Sequence, residues 1–284
     1  MTELNCCYVL YLQHLRKRNR SQKIETTEYV VRKYIQELIL SIYSLYKFSG
    51  IDPKITIFIS KKSAALFDPF CDELISKNII HEKTLIGFSP VPWGTKTLAW
   101  CAALSEFERF LFLDADIKFV RSLPIDKFCN RSMLFCSGNR KHVAKTRRFV
   151  NDYLGIKINK GVGLPITWFN RNGSPQVNYS KLRKKLERTL KLVERYVRKH
   201  GSKKGIDDQM IMSAVLYMMG IRAEDVTSDS RIFSATRNIY YKHNHHLITK
   251  HCNVNDAIHW LCDKGINASR YLVKDENFYY MVKK

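Results

Sequence analysis

The sequence predicts an α/β fold with a mostly parallel central sheet flanked by helices and a basic helical C-terminal half. Three observations predict it. The short apolar runs Lys54 to Ser60 (KITIFIS) and Phe110 to Leu113 (FLFL) have the length of buried strands. Between and around them lie longer stretches whose apolar residues recur every three or four positions, and such alternation builds βαβ units. From Arg140 to Lys204 the chain carries 19 Lys and Arg against three acids, Asp152, Glu187 and Glu194.

The elements follow in order. Residues 6–13 (CCYVLYLQ) are rich in β-formers and read as a first strand. Ile24 to Tyr46 reads as a helix, with Thr26 or Thr27 as its cap and Val30, Val31, Tyr34, Leu38, Ile42 and Leu45 at helical spacing. Gly50 and Pro53 end it, and the strand 54–60 follows. Ala64 to Ser76 reads as a second helix. Leu98 to Phe107 reads as a third, opening after Trp93-Gly94-Thr95-Lys96. The strand at Phe110 ends on Asp114-Ala115-Asp116. Tyr179 to His200 is a helix with the apolar stripe Leu182, Leu186, Leu190, Val193 and Val197. Arg183, Lys184, Lys185, Arg188, Lys191, Arg195 and Lys199 occupy its other faces. Met210 to Met219 is an apolar helix preceded by Asp207 and Asp208, which suit a helix N-terminus.

Composition narrows the function classes. The chain has 284 residues, 45% hydrophobic and 26% charged, which excludes disorder and coiled coil. No apolar run approaches the roughly 18 residues of a membrane span. The basic run Arg16, Lys17, Arg18 follows the apolar N-terminal stretch rather than preceding it, so the sequence reads as unexported and cytoplasmic. Eight cysteines with no C-x-x-C pair fit a reduced compartment better than a disulfide framework or a zinc site. His243, His245, His246 and His251 cluster, but their irregular spacing reads as a solvated loop. There is no G-x-G-x-x-G and no G-x-x-x-x-G-K-[ST], which argues against a dinucleotide dehydrogenase and a P-loop NTPase. The net charge of +22 calls for an anionic partner: nucleic acid, an acidic membrane surface or a phosphorylated substrate.

Asp114 and Asp116 carry the chemistry. Residues i and i+2 of an extended chain point to one side. Beyond a strand end, two such carboxylates can grip one hard cation, Mg²⁺ or Mn²⁺, whose shell is completed by water and phosphate oxygens. Three chemistries use this arrangement: glycosyl transfer, phosphoryl transfer and nucleotidyl transfer. A haloacid-dehalogenase-type phosphatase wants Thr or Val two residues after the second Asp, near the N-terminus; here Lys118 stands there, beyond residue 110. Nucleotidyl transfer wants a further carboxylate on another strand. A nucleic-acid-binding protein with an incidental D-x-D is the competitor outside enzymes.

The stretch Glu108 to Pro124 (ERFLFLDADIKFVRSLP) resembles the GT-A glycosyltransferases, particularly the glycogenin-like family 8 and its relatives. Other pieces resemble that family in matching order. They are Ile39 to Ser49 with the strand after it, Lys96 ahead of the D-x-D strand, and Asn159-Lys160-Gly161-Val162. Gly205-Ile206-Asp207-Asp208-Gln209 and Ile258-His259-Trp260 with Lys264 complete the set. The late element departs from the family pattern: Cys262 stands in place of Gly, and Lys264 comes one residue early.

The resemblance implies a single GT-A (Rossmann-like) domain, with residues 1–125 as the donor-binding half and 126–284 as the acceptor side. It implies Asp114, Asp116 and His259 on Mn²⁺ or Mg²⁺, with Asp114 also near the donor ribose. Lys96, Asn159, Gly161 and Lys264 would contact the nucleotide-sugar donor, Lys264 at its diphosphate. Asp207, Asp208 and Gln209 would stand at the sugar. Transfer would retain configuration. The net charge of +22, rather than the resemblance, points to an anionic acceptor, an acidic glycan, a phosphorylated lipid or modified DNA, with peripheral membrane contact.

Overall fold

The structure is a computed structural model that describes residues 2–12, 27–91, 94–137, 150–151, 154–158, 162–200, 208–221, 241–243 and 254–271. In chain order the elements are β1 (Thr2–Leu10), α1 (Thr27–Phe48), β2 (Ile51–Ser60), α2 (Ala64–Ser76) and β3 (Glu82–Ile86). Then come α3 (Gly94–Glu106), β4 (Arg109–Leu113), β5 (Ile117–Phe119), α4 (Ile125–Phe128), β6 (Met133–Ser137) and β7 (Val162–Asn170). The last are α5 (Tyr179–His200), α6 (Asp208–Met218), β8 (Tyr241–His243) and α7 (Val254–Asp263).

Six strands form one sheet in the order β3-β2-β1-β4-β7-β6. The first four are mutually parallel; β7 runs antiparallel to β4, and β6 antiparallel to β7. This is the α/β architecture the sequence predicts, with β6 and β7 as an antiparallel extension. β5 and β8 make a separate antiparallel pair.

β1 shows why its residues form a central strand. Cys6, Tyr8 and Leu10 enter the core on one face, Cys7, Val9 and Tyr11 the core on the other. Alternating side chains of a strand point to opposite faces, so a strand covered on both sides must be apolar throughout. The first core joins α1, α2 and α7 to the sheet, and the second joins α3, α5 and α6. The buried Tyr8 hydroxyl meets Ser41 Oγ of α1 at 3.0 Å, so this polar tip inside the core is paired.

α5 holds its place through Leu182, Leu186, Leu190 and Val193, all buried. Each contributes about 2 kcal/mol of burial. Its register against α3 is tight: a Cβ on Gly94 would lie 2.4 Å from Ser89 Oγ and 3.0 Å from Leu190 Cδ1. Ser89 Oγ also donates to Glu194 Oε1 of α5 at 2.7 Å. The first turn of α3, which carries Lys96, is thereby locked.

The cysteines among the described residues are free thiols; burial pushes those of Cys71 and Cys101 up to about 12, which keeps them protonated and inert. Among the described residues no helix is long and apolar enough to cross a membrane.

Candidate active site

After β1 the chain moves outward through β2 to β3, and it returns through α3 to β4 on the other side of β1. The carboxyl ends of β1 and β4 are therefore the point where connections diverge, and ligands of open α/β sheets bind in the crevice beyond such ends. β4 delivers Asp114-Ala115-Asp116 to this crevice. The Ile117 amide donates to the Asp114 carbonyl at 3.1 Å, which closes a four-residue turn holding both carboxylates. β1 delivers Tyr11.

Lys96 lies beneath the turn, 4% exposed in the first turn of α3. Its ammonium donates to Asp114 Oδ1, reaches Asp208 Oδ2 at 3.2 Å and donates to the Leu164 carbonyl at 2.9 Å. A lysine has three donors, and all three are engaged. The face of Trp100 lies 5.4 Å from the same nitrogen. Burial opposes the charge of Lys96, but Asp114 and Asp208 outweigh it and hold the ammonium well above the ordinary lysine range.

Asp208 opens α6, where a carboxylate meets the positive end of the helix dipole. α6 is pinned in turn, because Ser213 Oγ donates to the Gln209 carbonyl at 2.7 Å and accepts the Val162 amide of β7 at 3.1 Å. Two residues along β7 is the Leu164 carbonyl that holds Lys96.

The electrostatics are those of crowded carboxylates. Burial pushes Asp114 up to about 6; Lys96 pulls it down, and Asp116 and Asp208 add to the rise. Its side chain keeps 26% exposure, so it remains reachable from solvent. Two phenols border the group. Burial raises Tyr11, with Asp208, Tyr34 and Asp114 adding to it. Burial also raises Tyr34, with Asp116 and Asp114 adding. Both stay neutral donors at neutral pH.

The structure thus brings together Lys96, Asp114, Asp116 and Asp208, with Gln209 half-buried in the same first turn of α6. Lys96 turns its donors to two carboxylates and a backbone carbonyl. Asn159, Gly161, Asp207, Trp93 and the side chains of the histidine cluster lie outside the described residues.

His259 and Lys264 are not brought to this site. Both are exposed, on α7 and in the turn after it. The neighbouring Trp260 packs on Tyr43 and Tyr46 of α1, with ring centroids 5.8 and 5.7 Å away. Tyr46 donates to the Ile79 carbonyl ahead of β3, and Gly265 abuts Lys77. Tyr34, which faces Asp116, lies nine residues earlier than Tyr43, about 14 Å along the axis of α1. α7 therefore sits toward the opposite end of the sheet from the carboxylates. Among the described residues no three His, Cys, Asp or Glu side chains gather to hold a metal. The donor set of the turn, two hard carboxylates, fits a Mg²⁺ or Mn²⁺ whose remaining ligands are water and phosphate oxygens.

Sequence reasoning missed Tyr11, Tyr34 and the Leu164 carbonyl. Tyr11 had a signal, because it follows β1 directly at a strand end. A backbone carbonyl has none.

No family model matches the chain, and no curated protein sequence matches it. Solved structures resemble it, two glycosyltransferases among them. Mouse xyloside xylosyltransferase 1 in its apo form aligns at 11% identity and a TM-score of 0.43, over 86% of this chain and 98% of its own. The galactosyltransferase LgtC, in complex with donor and acceptor sugar analogues, aligns at 10% identity and a TM-score of 0.47, over 98% of this chain and 100% of its own. Neither likeness assigns a family.

Proposed function

We propose that this protein is a metal-dependent glycosyltransferase. It moves a sugar from a nucleoside-diphosphate sugar, a uridine diphosphate sugar first, to a hydroxyl of an anionic acceptor. The observation that carries the reading is the Asp114–Asp116 turn at the switch point of the sheet, braced from below by Lys96. Asp114 and Asp116 would hold Mg²⁺ or Mn²⁺. When bound, the cation stabilises negative charge gathering on a departing diphosphate. Lys96 fixes Asp114 in place and ties it to Asp208, so the carboxylates keep their geometry without substrate.

Retention of configuration fits this set best. The bond from the anomeric carbon to the diphosphate oxygen breaks, and the acceptor oxygen bonds to that carbon on the same face. The acceptor proton passes to the departing phosphate. Asp208 is committed to Lys96, an ion pair that supports a course needing no side-chain base. The phosphatase reading loses ground: Lys118 is buried and ion-paired with Glu37 at 2.9 Å.

The test is a panel of nucleotide-sugars incubated with and without Mn²⁺, with Asp116→Ala as control. Metal-dependent release of one nucleotide, absent in the variant, supports the reading. An inert panel under all conditions overturns it.

A further inference from the structure

The exposed face of α5 has an order that its composition alone does not require. Lys181, Lys184, Arg188, Lys191, Arg195 and Arg198 are all exposed. Their spacing alternates three and four residues, so they form one row within an arc of about 100°. The row runs about 26 Å. It lies opposite the buried face of Leu182, Leu186, Leu190 and Val193. The two acids of the helix lie off the row and are engaged elsewhere, Glu187 3.7 Å from Arg183 and Glu194 with Ser89. Among the described residues no ion pair reaches any of the six cations. Six like charges in line repel one another, and an anionic partner relieves that repulsion.

We infer that this row docks the protein on an anionic lipid surface. The shape of the row selects the partner. A bilayer is flat and lets all six cations reach headgroup phosphates together. A nucleic-acid duplex winds its phosphates away from a straight rod, which meets them only where it crosses a strand. Single strands are gripped through exposed aromatic platforms. Here Tyr196 is half-buried and packed on His200, with ring centroids 4.6 Å apart. The contact is purely electrostatic, because the apolar face of α5 is spent on α3 and α6 and cannot enter the acyl region. The inference is independent of the transfer reaction, since its test needs no turnover.

The full chain is mixed with vesicles of phosphatidylcholine alone, or of phosphatidylcholine with about one third phosphatidylserine, at about 0.1 M salt. Co-sedimentation with the anionic vesicles only, lost in high salt, is expected. Each cation near such a surface contributes about five-fold in partitioning, so Lys184→Gln, Arg188→Gln and Lys191→Gln together weaken it roughly 100-fold. Arg195→Gln with Arg198→Gln weakens it about 25-fold by the same rule. A control triple at exposed lysines elsewhere, Lys54→Gln, Lys77→Gln and Lys127→Gln, removes the same charge and keeps binding. Equal loss in both triples makes net charge the cause and overturns the inference. Tighter binding to single-stranded DNA than to anionic vesicles at equal salt overturns it too.

Discussion

Lys96 and Asp208 meet at 3.2 Å, joining the first turn of α3 to the first turn of α6 beneath the Asp114 turn. One buried cation therefore compensates two carboxylates from different elements. Lys96→Met removes it without adding bulk. Asp114 and Asp208 are then left in a poorly solvated crevice with Asp116 beside them. Denaturant titration should show a loss of about 3 kcal/mol, the scale for orphaning a buried charge. The loss should shrink on acidification, as carboxylates protonate and repulsion falls. A loss well under 1 kcal/mol, flat with pH, would mean that water screens the cluster.

Asp114 gives wild-type stability its own pH signature. Its folded value of about 6 stands above the ordinary 3.8. A carboxyl raised on folding binds its proton more tightly in the native state. The stability it contributes is present below about 4 and lost as pH rises through about 6. Asp114→Asn lacks this titration. In metal-free buffer, the stability of wild type relative to Asp114→Asn should fall by on the order of 2 kcal/mol between pH 4 and pH 7. A difference that stays constant across that range would place the Asp114 carboxyl in water.

Much of this was legible in sequence, for a physical reason. α2 and α5 have the bounds their periodicity predicts, because each is amphipathic along its whole length. β4 and the buried part of β2 were readable because burial on both faces demands apolar runs, whereas β2 begins at Ile51, three residues earlier than its apolar run predicts, with Pro53 inside it. β1 begins at Thr2, earlier than its apolar stretch, since Thr2 to Asn5 already pair with β2 from Ile51 onward. Polar strand starts carry no hydrophobic signal. β6 and β7 escaped for a related reason: their antiparallel pairing contains a register shift between Phe135 and Cys136, which blurs any alternation. In the site, Asp114 and Asp116 were readable because strand end and spacing are local properties. That Lys96 serves Asp208, or that Tyr34 faces Asp116, depends on how helices dock, and no local pattern encodes it.

The buried pair Glu37–Lys118 tests how β5 is held under α1. The side chains are 8% and 2% exposed and 2.9 Å apart. Lys118→Met alone removes the cation from a buried ion pair and should cost about 3–5 kcal/mol in thermal or denaturant unfolding. Adding Glu37→Leu should recover most of it, because a buried ion pair contributes little net stability over apolar packing. A double variant no better than the single would show that the pair specifies the position of β5, which follows Asp116 directly.

His259 and Lys264 separate the observed geometry from the family-like spacing of their segment. Both are exposed, and Trp260 ties them to the lower half of α1 through Tyr43 and Tyr46. His259→Ala and Lys264→Ala should leave metal-dependent nucleotide-sugar hydrolysis within about two-fold of wild type, as surface substitutions remote from a site do. Asp116→Asn, by contrast, removes one of the two proposed protein ligands and should cost at least about 100-fold in kcat/KM. Its unfolding midpoint should stay close to wild type, because Asn preserves the size of the side chain and removes one charge from crowded carboxylates. Assaying the three variants side by side across a Mn²⁺ series makes the comparison direct. A raised Mn²⁺ requirement in His259→Ala would mean that α7 swings to the carboxylates during turnover.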